Sequence, residues 1–283
     1  MRILLTGANG QLGTVLRRAL GYETVISKDL PNFDLTQPTV HDEIVEASPD
    51  LIIHAGAYTD VDGAEREPDL AMAVNAKGTE QVAKAAVRLG ARLIYISTDY
   101  VFDGEQQRPY GEHDSPRPIN HYGLSKWKGE QVVLTSGANA LIIRTAWLYG
   151  AVGKNFVKSI TRAAQSESVL KVVNDQYGCP TYAEDLASAV ASLIGQDVQG
   201  VVHVTNRGQC TWYEFAQAIV RETELPCSVL PITTQQAGRL AKRPPYSVLS
   251  PNRLVSLGLA LPEWSQALTR FAKDAQALLT DSQ

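Results

Sequence analysis

The chain is poor in cysteine. Its 283 residues include 3, at Cys179, Cys210 and Cys227. An odd, scattered set with no CxxC pair excludes a disulfide framework and a thiolate zinc site, and leaves reduced structural thiols. Long apolar runs are missing too. Nothing approaches the ~20 apolar residues that a membrane span needs, so no membrane partner is expected. Charge of one sign is not in excess, since 26 Lys and Arg stand against 30 Asp and Glu, a net charge of -4. That excludes the broad basic surface of a nucleic-acid binder, while a local basic site for a small anion stays compatible. Only Ile3 to Thr6 separate Arg2 from the first glycine, Gly7. This is too short for the apolar core of a signal peptide, and the expected location is the cytoplasm.

Apolar material itself is plentiful, at 44% of residues, enough for one large domain or one plus a smaller lobe. It arrives in short runs: Ile3-Leu4-Leu5, Val25-Ile26, Leu51-Ile52-Ile53, Leu93-Ile94-Tyr95-Ile96 and Leu141-Ile142-Ile143. Such runs, bounded by turn residues or charges, read as strands buried on both faces. Helical patterns near 11–20, 38–47, 68–89 and 120–135 fall between them. The alternation predicts an α/β fold with a doubly wound parallel sheet. After residue 150 the pattern is less regular. Helices are expected near 153–165, 183–195, 211–223 and 263–279, with apolar runs at 169–173 and 201–204. Prolines cluster between Pro226 and Pro262. The expectation is one domain over 1–150, with returning segments around 175–205, and a smaller mixed α/β lobe over most of 151–283.

Gly7-Ala8-Asn9-Gly10-Gln11-Leu12-Gly13 follows the first strand and opens the first helix. Gly7 permits a tight turn, Gly10 lets backbone approach a pyrophosphate, and Gly13 packs the helix onto the sheet. Free N–H groups of the helix then face the phosphate. This context favours a dinucleotide site of the Rossmann type over a merely tight turn. Some 20 residues on, Asp29 would suit a ribose hydroxyl, as in NADH, and Lys28 a 2′-phosphate, as in NADPH. The two point opposite ways, so the expected cofactor is NADPH or NADH. Asp34-Leu35 is a candidate for the adenine edge, with a cap of the local turn as the competing role for Asp34.

Ser97-Thr98-Asp99-Tyr100-Val101-Phe102 ends the fourth strand, where doubly wound sheets bind ligands. Tyr122 and Lys126 are spaced i, i+4, so a helix puts both on one face. Hydride delivery to a ketone creates an alkoxide that needs a proton. A phenol titrating near ~10 is a poor acid-base group at neutral pH, and an adjacent ammonium would bring it towards the working range. A Thr98 hydroxyl would polarise the carbonyl. Among 11 tyrosines a lone YxxxK is weak; together with Thr98 and the glycine loop it predicts a Thr98, Tyr122, Lys126 catalytic set. His54 reads as a packing residue, and Tyr100 and Phe102 either line the pocket or pack.

These residues resemble the extended short-chain dehydrogenase/reductase family, and within it the dTDP-4-dehydrorhamnose reductases. The specific matches are Ser97 to Gly104 and Arg144-Thr145-Ala146-Trp147-Leu148-Tyr149-Gly150. Asn155-Phe156-Val157, Asp175 to Thr181 and Arg243 to Leu249 extend the likeness over nearly the whole chain. The resemblance implies an NADPH- or NADH-dependent oxidoreductase that reduces dTDP-4-dehydro-6-deoxy-L-mannose to dTDP-L-rhamnose for lipopolysaccharide or cell-wall polysaccharide. It implies cofactor contacts at Gly10, Gln11, Leu12, Asp34, Leu35, Ala57, Tyr58 and Thr59, and by Tyr122 and Lys126. Thr98 and Asp99 would touch the sugar, Trp147 would pack against it, and Tyr100 and Asn155 are counted with them. Arg243 is suggested for the substrate diphosphate, since a guanidinium matches phosphate geometry; a surface ion pair is its other reading. Some members form a dimer bridged by magnesium through a Glu of the first helix. The matching residue here is Val15, which offers a hard cation no oxygen, so no metal is expected although Glu184 matches the other ligand. A homodimer is left open.

Two other functions remain in view. A sugar-nucleotide 4-epimerase would share the scaffold and retain its cofactor between half-reactions. A 4,6-dehydratase is disfavoured, because its Asp-Glu after the strand-four Thr is Asp99-Tyr100 here. A non-catalytic dinucleotide-binding regulatory subunit, like the one that serves methionine adenosyltransferase, would bind a partner chain without turnover.

Overall fold

The computed structural model of the chain describes residues 1–21 and 23–280, with the side chains of its last helix described as far as Asp274. The first half alternates strand and helix. It runs β1 (Arg2–Thr6), α1 (Gln11–Ala19), β2 (Thr24–Lys28), α2 (Val40–Ala47), β3 (Leu51–His54), α3 (Val61–Arg66) and α4 (Pro68–Met72). A π-helical turn (Ala73–Gly78), α5 (Thr79–Leu89), β4 (Arg92–Thr98), a 3-10 turn (Asp99–Val101), α6 (His121–Thr135), β5 (Ala140–Thr145) and β6 (Leu148–Tyr149) follow. The second half is α7 (Phe156–Ser166), β7 (Val169–Val173), β8 (Tyr177–Gly178), β9 (Thr181–Tyr182), α8 (Ala183–Ile194), β10 (Gly200–His203) and β11 (Cys210–Thr211). It ends with α9 (Trp212–Glu222), β12 (Ser228–Ile232), α10 (Thr234–Ala237), α11 (Asn252–Ser256) and α12 (Trp264–Thr280).

Six strands form one parallel sheet in the order β10-β5-β4-β3-β1-β2. The chain winds outward in one direction from β1 and in the other from β3. The switch point therefore lies between the carboxyl ends of β1 and β3, where such sheets bind ligands. The strands are apolar on both faces because helices cover both. One core layer packs Leu12, Val15 and Leu16 of α1 with Leu186, Val190 and Leu193 of α8. The opposite layer packs Val40 and Ile44 of α2 with Val82 and Ala86 of α5. Thus α8 and β10, from the second half of the sequence, complete the main sheet and its cover. Helix α11 joins them there through Leu254, while α7, α9 and α12, with β6, β7, β9 and β11, build a separate core around Tyr149, Ile160, Phe215 and Phe271.

Several expected elements differ in detail. The helix expected over 68–89 is interrupted by the π turn. The Asn75 carbonyl on this turn accepts from Thr79 Oγ1 at 2.8 Å, and the Asn75 side chain holds the backbone of Tyr58 on both sides. Strand β12 contains Pro231, which a central strand would reject; among the described residues β12 pairs only with β7, so the missing donor faces no neighbouring strand there. His54 is a satisfied core residue as expected. Thr79 spends its hydroxyl proton on Asn75, so His54 Nε2 donates to it at 3.0 Å and Nδ1 accepts from Thr6 at 2.7 Å.

The glycine loop is held at backbone-contact distance. Gly7 has φ +67°, and a Cβ there would sit 2.7 Å from Gly56 N. A Cβ on Gly13 would lie 2.1 Å from the Gly7 carbonyl oxygen. We therefore expect Gly13→Ala to lower the unfolding free energy in urea by about 1–3 kcal/mol, the usual cost of overpacking. An unchanged midpoint would show that the loop yields freely.

Candidate functional site

A cavity of 810 Å³ opens over the switch point and runs from the glycine loop to the ends of β4 and β6. Its first end is the cradle formed by Gly7, Gly10, Gln11, Leu12 and Gly13. No side chain caps α1 and no acidic residue occupies its first turn, so the N-terminal N–H groups and the helix dipole face the cavity. Thr145 also belongs to the lining. The bare cradle fits the pyrophosphate of a dinucleotide.

The adenosine-end residues divide. Leu35, Ala57 and Thr59 line the cavity. Asp34 does too, but its carboxylate accepts from Thr36 N at 2.9 Å and Thr36 Oγ1 at 2.8 Å. Those bonds hold its pKa below the usual carboxylate range, so it serves as the turn cap as well. Tyr58 is not in the lining: its hydroxyl donates to Glu67 at 3.2 Å. Asp29 accepts from Asn9 N at 2.7 Å and Lys28 pairs with Glu43 at 3.1 Å, so both contenders for the ribose already have protein partners.

Helix α6 brings in the acid-base pair. Its Asn120 cap accepts from Gly123 N at 2.7 Å and donates to Lys242 O at 2.8 Å. A Cβ on Gly123 would fall 2.0 Å from the Tyr100 carbonyl oxygen, and one on Gly129 2.4 Å from that of Asn75. These glycines let α6 lie against the end of β4, so Tyr122 and Lys126 meet Thr98 at the cavity wall. Burial pushes the Tyr122 phenol up to about 12; the neighbouring Thr98 hydroxyl opposes this and Asp99 reinforces it. Burial pulls Lys126 down to about 7, against the attraction of Glu130. The expectation of a phenol brought towards the working range is corrected for the ligand-free chain, where burial is the largest influence and leaves it neutral. Lys126 Nζ donates to Ile96 O at 2.7 Å and sits 4.2 Å from the Tyr95 ring centre, and burial governs the phenol. Asp99 is fully buried beneath Thr98, accepting from Thr98 Oγ1 at 3.1 Å and Ser247 Oγ at 2.5 Å. Burial raises its carboxyl to about 7 against those two bonds.

The far end is aromatic. Trp147 stacks on Trp212 with centroids 3.5 Å apart, and Phe156 packs on Trp212 at 4.5 Å. Trp147 holds φ +46°, a strained setting for a bulky residue. It fits because a Cβ on Gly178 would meet its ring at 2.3 Å. Tyr100 joins the lining as one of its two proposed roles requires, while Phe102 packs on Tyr110 at 4.1 Å. Trp212, Phe156 and Lys154 line the cavity without having been singled out. Trp212 follows an ordinary capping box, Thr211 with Glu214, and no local signal marks it as pocket-facing. Asn155 lies behind the wall: it caps α7 and donates to Gln11 Oε1 at 2.8 Å, tying the lobe to the glycine loop. Arg243 is outside the lining. Its two terminal nitrogens donate to Asp62 at 3.0 and 2.9 Å, so the fork suggested for a diphosphate is committed to a half-buried ion pair.

Val15 is buried in the α1–α8 core, and Glu184 pairs with Arg18 across those helices. Among the described residues no cluster of His, Cys, Asp and Glu could hold a metal ion, and no helix is long and apolar enough to cross a membrane.

Residues 1–277 match the family described as the RmlD substrate binding domain. The spore coat polysaccharide biosynthesis protein SpsK of Bacillus subtilis is 40% identical over 96% of this chain and 97% of its own length. The dTDP-4-dehydrorhamnose reductase of Mycobacterium tuberculosis is 40% identical over 99% of this chain and 95% of its own. A solved dTDP-4-dehydrorhamnose reductase from Bacillus anthracis, in complex with NADP, has a TM-score of 0.94 at 42% identity and covers 96% of this chain and 99% of its own.

The Asp99 proton has a measurable consequence. Folded, the carboxyl titrates near 7; unfolded, near ~3.9. Between those values the folded state holds the extra proton, so the contribution of this group to stability falls as pH rises. Urea unfolding at about pH 5 and about pH 7.5 should therefore show a smaller decline for Asp99→Asn than for the parent chain. Equal declines would mean that Asp99 is ionised throughout.

Proposed function

The chain belongs to the RmlD substrate binding domain family, and on that premise we propose that it reduces dTDP-4-dehydro-6-deoxy-L-mannose (dTDP-4-dehydrorhamnose) to dTDP-L-rhamnose with NADPH or NADH. The observation that carries this reading is the meeting of Thr98, Tyr122 and Lys126 on one wall of a cavity whose other end is a bare glycine cradle. Bound reduced nicotinamide supplies the hydride. The Thr98 hydroxyl turns from the Asp99 carboxyl to the bound substrate, donates its hydrogen bond to the 4-keto oxygen and polarises it. Tyr122, held as a neutral phenol at working pH, gives that oxygen its proton. The Lys126 ammonium steadies the phenolate left behind until water reloads it.

The aromatic wall of Trp147, Trp212 and Phe156 suits the flat or apolar face of the sugar nucleotide. Gly7, Gly10, Gln11, Leu12 and Gly13 hold the cofactor pyrophosphate, with Leu35, Ala57 and Thr59 towards its adenosine. In this assignment residues 1–150, with the returning segments around 175–205, serve mainly the dinucleotide, and the rest of 151–283 mainly the sugar nucleotide. A cytoplasmic location accords with the sparse reduced cysteines. Elimination would need a further carboxylate beside Asp99; the position holds Tyr100, whose phenol burial pushes far up. A subunit without turnover would have no use for a loaded proton donor beside a polarising hydroxyl.

The test is consumption of reduced nicotinamide that depends on dTDP-4-dehydro-6-deoxy-L-mannose and yields dTDP-L-rhamnose. Dinucleotide binding without consumption would overturn the reading. Tyr122→Phe should lower the chemical rate by at least ~10²-fold and leave dinucleotide affinity in place; near-parental turnover sinks the proton-donor role. Trp147→Ala should raise the KM for the sugar nucleotide more than the Kd for the dinucleotide, and equal losses would mark the Trp as structural.

A further inference from the structure

Behind the Tyr122–Lys126 pair lies an ion pair that does not reach the cavity. The side chains of Glu130 and Arg144 are 1% and 3% exposed. Arg144 donates through Nε to Glu130 Oε1 at 2.9 Å and through Nη2 to Oε2 at 2.6 Å. Ser97 Oγ donates to Oε1 at 2.5 Å. The remaining guanidinium nitrogen faces His203 Nε2 at 3.4 Å, and the guanidinium lies 5.0 Å from the Phe102 ring centre. Removing two charges from water is costly, and apolar side chains of similar volume often join elements as well or better. Clamping α6 to β4 and β5 is therefore a weak reason for this pair to exist.

Its position supplies a better one. Glu130 follows Lys126 by four residues on α6, one turn along the same face. The other groups around Lys126 carry no negative charge. Strand β4 contributes the Tyr95 ring and the Ile96 carbonyl. Strand β3 contributes His54, which burial and Lys126 itself keep neutral by lowering its pKa to about 3. Tyr122, on the same helix, is a neutral phenol. Asp99, on the 3-10 turn, is held by Thr98 and Ser247, and burial raises its carboxyl to about 7, so it keeps its proton over much of the acid side of neutrality. Glu130, one helical turn along from the ammonium, opposes the loss of its charge.

We propose that Glu130, oriented by Arg144 and Ser97, is a positioning residue that keeps Lys126 charged for the proton step. This rests on the reading that Tyr122 and Lys126 carry that step. Burial already pulls the ammonium down to about 7, and Glu130 opposes the pull. A neutral lysine could not steady the phenolate that Tyr122 becomes on giving up its proton. Both Glu130 oxygens are occupied, so the carboxylate acts on Lys126 through its field and does not capture Nζ. The amine stays on the Ile96 carbonyl, beside the cavity.

Two variants test this. Glu130→Gln removes the carboxylate but leaves a buried guanidinium uncompensated. Glu130→Gln/Arg144→Met removes both charges and keeps the packing. The Lys126 titration is followed in the ligand-free protein by NMR of ε-¹³C-lysine, with the signal identified by its loss in Lys126→Met. The Lys126 midpoint should fall by at least about half a pH unit in folded Glu130→Gln, because an attracting charge has gone, and by less in the double variant, because the repelling Arg144 charge has gone with it. The alkaline limb of kcat/KM for ketone reduction should move to lower pH with it. An unchanged midpoint in the double variant overturns the proposal, even if kcat falls. Absence of reductase activity in the parent chain would instead overturn the functional reading. The Lys126 midpoint, read without cofactor or substrate, decides the role of Glu130 in either case.

Discussion

The site depends on how closely α6 lies against the carboxyl end of β4. Gly123 meets the Tyr100 carbonyl and Gly129 meets that of Asn75, each at a distance that leaves no room for a Cβ. Because the backbones touch, Tyr122 is delivered to Thr98 and the Lys126 amine to Ile96 O. The same contact line continues through Asn75, whose side chain accepts from Tyr58 N and donates to Ser125 Oγ. One run of close packing thus fixes the proton donor, the lysine and a segment of the cofactor wall relative to each other. Side chains on rigid elements hold such geometry better than side chains on loops.

Desolvation then sets the protonation states. The same dry surroundings push the Tyr122 phenol up to about 12, the Asp99 carboxyl up to about 7 and the Lys126 ammonium down to about 7. For a reduction the first effect is useful, since the donor must arrive loaded. The third is a liability, because the phenolate left behind needs a neighbouring cation. The buried Glu130 offsets it from one helical turn away. Charge placement behind the wall and hydroxyl placement on it act on the same proton.

Much of this was legible in the residues. The parallel sheet follows from the alternation of short apolar runs with helical patterns, and the cradle follows from the spacing of Gly7, Gly10 and Gly13. The i, i+4 spacing of Tyr122 and Lys126 put them on one face before any fold was known. Other assignments were legible only as alternatives. Asp34 could cap a turn or meet a ligand, and it caps the turn while lining the cavity. Arg243 could bind a phosphate or a carboxylate, and in the folded chain its fork is on Asp62.

The sequence by itself determined what repeats locally: strand runs, helix faces, the turn that only glycine can make, and the chemistry each side chain can perform. Those properties depend on neighbours within a few residues, so pattern and spacing reveal them. Tertiary structure alone decided which side chains share a space. Trp212 stacks on Trp147 across 65 positions of chain, and Ser247 reaches Asp99 across 148. Segment 200–203 closes the sheet that begins at Arg2. It also decided which groups lose water, and hence where their protons sit, because desolvation is a property of the assembled interior and of no single stretch of sequence.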